Sequence, residues 1–402
     1  MIKRERYLNF LIDAIDNEFV KVITGVRRSG KSVLLMQVQD ALRERGITDD
    51  QIVYLNFESF SNAKYLNNPE RLYDDLMQRN QGKKLYFFFD EVQLVSQWQM
   101  IVNSLRIDLP SDIYITGSNA SILSGELATL LSGRYVQINV YPFSFAEFVE
   151  LKEIDTSSVT SVRDAYLEYR EFGGMPSILD ANLSENQHFE YLSNLYDSIM
   201  LRDVSQRSGE GNQQLLKMLT LVMLDSISSE VSVSKLVNRL KDAGFNINTT
   251  RFRNYVGLLE QAYLFISVPR LNLRGSQRLR SNDKFYVIDN GLWHSQVGDA
   301  GTNIGSQLEN IVCLELMRRG FDVKYGEIDG KEIDFVAEKR GQRQYIQVTQ
   351  QIPENSEREV ANLVAIPDGY PKLLITGEDL GVKQIDGVPV VPIYEWLLND
   401  NN

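Results

Sequence analysis

The chain has 402 residues, 43% of them hydrophobic and 24% charged, which places it among folded globular proteins and beyond what one hydrophobic core supports. A net charge of −12 argues against whole-surface attraction to nucleic acid, and the lone Cys313 excludes an intramolecular disulfide. With only His188 and His294 besides, no Cys/His cluster has zinc-site spacing; there is neither a signal-peptide core nor an apolar run long enough to cross a bilayer, so a reducing, cytoplasmic compartment and no membrane are expected.

Along residues 7–15, Tyr7, Leu8, Leu11, Ile12 and Ile15 recur at helical spacing. Residues 19–24 are a short β-branched run that meets Gly25, and residues 31–45 carry Val33, Leu34, Leu35, Val38 and Leu42 at helical spacing before Gly46 ends the helix. Further apolar runs at 52–55, 85–89, 113–115 and 135–140 are separated by segments long enough for crossover helices, the grammar of an α/β fold with a parallel sheet covered by helices. Residues 145–206 read as mostly helical, interrupted where Gly173, Gly174, Met175 and Pro176 demand a turn. Short helices and a β-ribbon follow over 215–268, and a further α/β unit begins after Asn303 with a helix and strand-like runs at 333–337 and 345–348. The expected division is 1–145, 146–206, 207–285 and 286–402.

Gly25, Val26, Arg27, Arg28, Ser29, Gly30, Lys31 and Ser32 spell G-x-x-x-x-G-K-[ST] between a predicted strand and a predicted helix. Glycines at 25 and 30 let successive N–H groups curl inward onto phosphate oxygens, and the helix beginning near Lys31 adds its positive end. Lys31 would meet the β- and γ-phosphates and Ser32 would offer its hydroxyl to Mg2+. The strand 85–89 ends in Asp90 and Glu91, one carboxylate for the metal and one to prepare water. An apolar strand capped by acids is common by itself; joined to the phosphate loop it specifies an ATP site.

The loop 25–32, the strand end at Asp90 and Glu91, the run Thr116, Gly117, Ser118, Asn119 and the turn 173–176 together resemble the AAA+-type P-loop ATPases of bacteria and archaea that carry a C-terminal domain of unknown function, relatives of the signalling ATPases. The resemblance implies an Mg2+-dependent ATPase whose nucleotide set is Gly25, Arg28, Ser29, Gly30, Lys31, Ser32, Val33 and Asn119. It offers Asn119 as the polar sensor of the γ-phosphate; a role for Ser118 or Asn119 in capping the next helix fits equally. Arg134 is the candidate arginine finger, acting in cis or from a neighbouring subunit, against the alternative of a solvated or salt-bridged arginine. Arg27 and Arg28 either touch nucleotide or pair with nearby acids.

Between 235 and 284 ten Lys or Arg face three acids. Residues 236–259 look like a winged-helix unit in which Thr249, Thr250, Arg251, Phe252 and Arg253 open the helix that would enter a DNA groove, with Arg251, Arg253, Arg270, Arg274, Arg278, Arg280 and Lys284 neutralising phosphates. A plain packing module is the competing reading. The tail, with Glu309, Asp334 and the strand around Gln347, is similar to restriction-endonuclease-like domains; the positions where an active member carries Glu-x-Lys read Gln347, Val348, Thr349, so no cleavage is expected. Three functions stand at this point: an ATPase; a slow or non-hydrolysing nucleotide-gated adaptor that binds DNA or a partner protein, including another copy of the chain; and, against the missing Glu-x-Lys, a DNA-cleaving effector.

Overall fold

A computed structural model describes residues 2–80, 82–123, 130–179, 183–205, 213–273, 282–301, 303–351 and 358–399. The chain forms two compact units, Met1–Tyr141 with Gln261–Tyr263, and Pro142–Glu260 with Leu264–Asn402.

The first unit runs α1 (Glu5–Asp13), β1 (Val20–Thr24), α2 (Lys31–Glu44), β2 (Ile52–Asn56), α3 (Pro69–Met77), β3 (Leu85–Asp90), α4 (Trp98–Asp108), β4 (Ser111–Gly117) and β5 (Tyr135–Asn139). Its five strands are all parallel, in the order β2-β3-β4-β1-β5. Every residue of β1 and β3 is buried, as a strand covered on both faces requires, which is why these strands read as continuous apolar runs. Side chains still alternate: Phe87 and Phe89 share one core with Leu72 and Leu76 of α3 and Ile101 and Leu105 of α4, while Tyr86 and Phe88 share the other with Leu11 of α1 and Leu34, Leu35 and Val38 of α2. The helices thus lie on both faces, and the loops after β1, β3 and β4 emerge together at the carboxyl edge, where open α/β sheets bind ligands.

At the opposite edge the sheet buries an ion pair. Lys21 and Asp112 are both fully enclosed, and Asp112 also accepts from Asp16 N at 2.8 Å and from the Tyr114 hydroxyl at 3.1 Å. Desolvation drives the Lys21 ammonium below its usual range, against the pull of Asp112. Lys21→Met strands a buried carboxylate and is expected to cost about 3–5 kcal/mol, read as a lower denaturant midpoint for this unit, whereas adding Asp112→Asn restores much of it because the charge disappears.

The second unit carries α5 (Phe145–Leu151), α6 (Val159–Phe172), α7 (Glu185–Ser198), α8 (Gln213–Leu224), α9 (Val233–Asp242), α10 (Thr249–Gln261), β6 (Phe265–Val268), β7 (Arg270–Asn272), β8 (Lys284–Val287), α11 (Asn290–Gly301) and α12 (Ile304–Arg318). Then come β9 (Asp322–Ile328), β10 (Lys331–Lys339), β11 (Gln342–Thr349), α13 (Arg358–Val364), β12 (Lys372–Thr376), β13 (Gln384–Ile385), β14 (Val388–Pro392) and α14 (Ile393–Leu398). β6 pairs antiparallel with β8, and a mixed sheet is ordered β13-β14-β12-β11-β10-β9-β7. The glycine turn expected at 173–176 wraps a carboxylate: Asp289 accepts from Gly174 N at 2.7 Å and Leu292 N at 3.1 Å, and burial pushes its pKa up to about 6. Gly173 sits at φ +75°, and a Cβ there would lie 2.1 Å from Asp289 Oδ1, so only glycine fits.

Candidate nucleotide site

Strand register sets the site. Asn56 stands opposite Asp90 across β2 and β3, and Thr24 opposite Gly117 across β1 and β4, so the loop that follows β1 begins level with the acidic end of β3. Gly25 takes φ +144°, and a Cβ at this position would lie 2.2 Å from the carbonyl oxygen of Val140; Gly30, at φ +96°, is the N-cap of α2. Both positions need glycine, as a phosphate-cradling turn does. Lys31 is 3% exposed, and its ammonium donates to Gly25 O and Val26 O at 3.0 Å each while standing 3.9 Å from Glu91 Oε1. The Ser29 hydroxyl is buried with no hydrogen-bond partner, a polar atom whose cost a ligand at the loop would relieve.

Arg4, which sequence reasoning missed, braces this loop. Its guanidinium donates to Ser29 O and to Tyr141 O at 2.9 Å each and lies 4.5 Å from the centre of the Tyr7 ring. No peptide bond described is cis, so the Ser29 carbonyl and the Gly30 N–H point in opposite directions. By holding the carbonyl on its own side, Arg4 turns that N–H the other way.

Asp90 is fully buried and accepts from the Thr116 hydroxyl at 2.5 Å, the Tyr54 hydroxyl at 3.0 Å and Asn56 Nδ2 at 3.2 Å. Burial first, then the Asp90 charge, pushes the Tyr54 phenol up to about 12, keeping it a donor. Thr116 also accepts from Glu91 N at 2.9 Å, so one hydroxyl ties both acids to the end of β4. Glu91 adopts φ +55°, a left-handed backbone rare for a glutamate and found at sites that store strain for function.

The residues fit an Mg2+-nucleotide. An Mg2+ ion takes one or two carboxylates and completes its shell with phosphate and water. Asp90, with Ser32 at the first turn of α2, is the carboxylate and hydroxyl that would hold such an ion.

The other expected residues fall as follows. Asn119 is buried two residues beyond β4, and its carbonyl accepts from Ile122 N at 3.2 Å as a short 3-10 turn begins. Arg27 pairs with Glu58 at 2.9 Å, and Arg28 is exposed at φ +65°. Val33 is half-buried in the first turn of α2. Arg134 is exposed just before β5, with its carbonyl accepting from Val20 N, at the amino edge of the sheet. It stands a strand's length, roughly 16 Å, from the loop after β1, so the in-cis finger of the sequence reading is not brought to its own phosphates.

In the second unit α8, α9 and α10 precede the antiparallel β6–β8 pair, to which Glu230 adds a bridge at Lys284. Lys235, Arg239, Lys241 and Arg253 are exposed on these helices, as is Arg251, which reaches the Tyr255 hydroxyl at 3.2 Å. Two expected phosphate contacts are corrected. Lys284 is buried against Glu309 and Glu332, and Arg270 pairs with Glu327 and Glu230, so both charges are spent within the protein. Arg274, Arg278 and Arg280 lie outside the described residues. Burial works against the Lys284 charge, but Glu309, Asp334 and Glu332 outweigh it and hold its pKa above the usual lysine value. Burial likewise lifts Glu309 to about 7 and Asp334 well above the carboxylate range. A lysine therefore does stand beside these acids, from β8 rather than from position 349, where Thr349 stands; Gln347 Oε1 accepts from Asp334 N at 3.4 Å.

Residues 17–149 match the family described as an AAA domain, and residues 163–303 match a domain of unknown function. An uncharacterized protein of Haemophilus influenzae is 45% identical over 99% of both chains. An uncharacterized protein of Methanocaldococcus jannaschii is 32% identical over 94% of this chain and 88% of its own. Among solved structures, the Walker-type ATPase of Pyrococcus abyssi superposes with a TM-score of 0.49 at 16% identity, over 74% of this chain and 96% of that one. Among the described residues, no helix is long and apolar enough to cross a membrane.

Proposed function

The chain belongs to one family with the uncharacterized Haemophilus and Methanocaldococcus proteins, and from that premise and the AAA domain matched over residues 17–149 we propose that it is a cytoplasmic, Mg2+-dependent ATPase. The observation that carries this reading is the convergence, at one sheet edge, of the glycine-shaped loop with buried Lys31 and the acids Asp90 and Glu91. Mg2+, when bound, neutralises charge on the β- and γ-phosphates. The amides of residues 25–33 and the Lys31 ammonium hold the triphosphate, with Lys31 exchanging its two carbonyl partners for phosphate oxygens. Ser32 and Asp90 orient the metal, and Asn119 reports the γ-phosphate. Glu91 orients a water and accepts its proton as the water oxygen bonds to the γ-phosphorus, the bond to the bridging oxygen breaks, and ADP leaves. Steady release of inorganic phosphate from Mg2+-ATP by the purified chain tests this; binding without release would leave the nucleotide-gated adaptor.

Arg134, at the far edge of its own sheet, serves as a finger only for a second copy, which makes self-association part of the proposal. The helices α8–α10 with the β6–β8 pair support a winged helix that nucleotide state regulates, with DNA as its target through the exposed cations Lys235, Arg239, Lys241, Arg251 and Arg253. Affinity for duplex DNA is then expected to fall steeply as salt rises, with a slope of magnitude about 3–5 in log–log form; a flat salt dependence would retire the DNA target. The tail is proposed as non-cleaving. Plasmid nicking that needs Mg2+ and is lost in Asp334→Ala would overturn this.

A further inference from the structure

We infer that Gln93 is a positioning residue that aims Glu91 at the attacking water, an inference that rests on the hydrolysis reading above. Gln93 lies in the short 3-10 turn Val92–Leu94 directly after the acidic end of β3. Its Nε2 donates to Glu91 Oε2 at 2.5 Å. The orientation of the amide is forced, because its oxygen at that distance from a carboxylate would face lone pairs with lone pairs. The other oxygen of Glu91, Oε1, is the one that stands 3.9 Å from the Lys31 ammonium. The two carboxylate oxygens are therefore divided between a fixed donor on one side and the phosphate side of the site on the other.

Three observations say that the fold maintains this arrangement at a cost. Glu91 carries this carboxylate on a left-handed backbone, φ +55°, rare for a glutamate. Gln93 Oε1 is buried and has no hydrogen-bond partner, so the amide is held for what its N–H does, not because both ends are satisfied. Room for it comes from Gly117, the last residue of β4, where a Cβ would lie 2.9 Å from Gln93 Oε1 and 2.8 Å from Ile122 Cδ1. When Lys31 turns to phosphate, its attraction for Glu91 weakens, and Gln93 remains as the contact that fixes the direction of the carboxylate.

The test compares the full chain with Gln93→Met and Gln93→Leu, measuring phosphate release from Mg2+-ATP, the Kd of a non-hydrolysable ATP analogue and the melting temperature. Met keeps the length, removes the donor and abolishes the unpaired oxygen, so a side chain that only fills space would lose nothing by the change. A positioning role predicts that kcat falls about tenfold or more while Kd stays within about twofold, in both variants. Leu carries the same test should Met disturb folding, because it too lacks the N–H and brings no second charge beside Glu91. Parent kcat in Gln93→Met overturns the inference while leaving the ATPase reading intact, as does a loss of kcat matched by an equal loss of affinity. A parent chain that binds the analogue and releases no phosphate removes both.

Discussion

Lys31→Met is expected to lower ATP turnover by about 10²–10³-fold and to weaken nucleotide binding with it, because its ammonium is a buried cation held at the loop by two neutral carbonyls. Its present partners, Gly25 O and Val26 O, are neutral carbonyls that a triphosphate outcompetes, so the group is poised rather than spent. Methionine keeps the length of the stem and its packing, so the loss reads the charge and not a collapsed loop. Phosphate release and titration of an ATP analogue measure the two effects. A variant that binds and turns over like the parent would place the phosphates elsewhere.

Glu91→Gln is expected to separate the two quantities that Lys31→Met moves together. An amide in place of the carboxylate keeps the shape and the neighbour Gln93 but cannot take a proton, so kcat falls by about 10²–10⁴-fold while affinity for the nucleotide is retained. The expected product is a stable complex of the variant with unhydrolysed ATP, which single-turnover kinetics would detect. Equal rates in parent and variant would take Glu91 out of the chemistry and favour the adaptor.

Local letters carried much of the first unit. The eight residues of the phosphate loop lie in one stretch, and the run through Phe89 to Asp90 is apolar on both faces because β3 is covered on both faces, so periodicity and motif agreed with the sheet that forms. What escaped are partners set by pairing across strands. Tyr54 and Asn56 reach Asp90 only because β2 lies beside β3, and Thr116 bridges both acids only because β4 lies on the other side. Arg4 meets Ser29 across 25 residues of chain, with nothing in its neighbourhood of sequence to mark it.

The basic stretch 235–284 shows the reverse error. Counting charge treats every cation as exposed, whereas burial by distant elements decides which ones face solvent. Lys284 is enclosed by carboxylates of α12 and β10, and the half-buried Arg270 pairs with Glu327 of β9, neither of which proximity in sequence reveals. The same fold returns a lysine to the acids of the tail from a strand that no motif spacing connects with them. Arg134 is a case where the pattern named a residue and was silent about its place: a strand's length separates it from the loop, and only the parallel pairing of β1 with β5 says so.

The account depends on the loop from Gly25 to Ser32 closing around a triphosphate. Isothermal titration of the purified, folded chain with a non-hydrolysable ATP analogue and Mg2+ measures that most directly. It is predicted to give a saturable one-site isotherm that is lost in Lys31→Met; an absence of heat with the parent chain, or a parent-like isotherm in the variant, would contradict it.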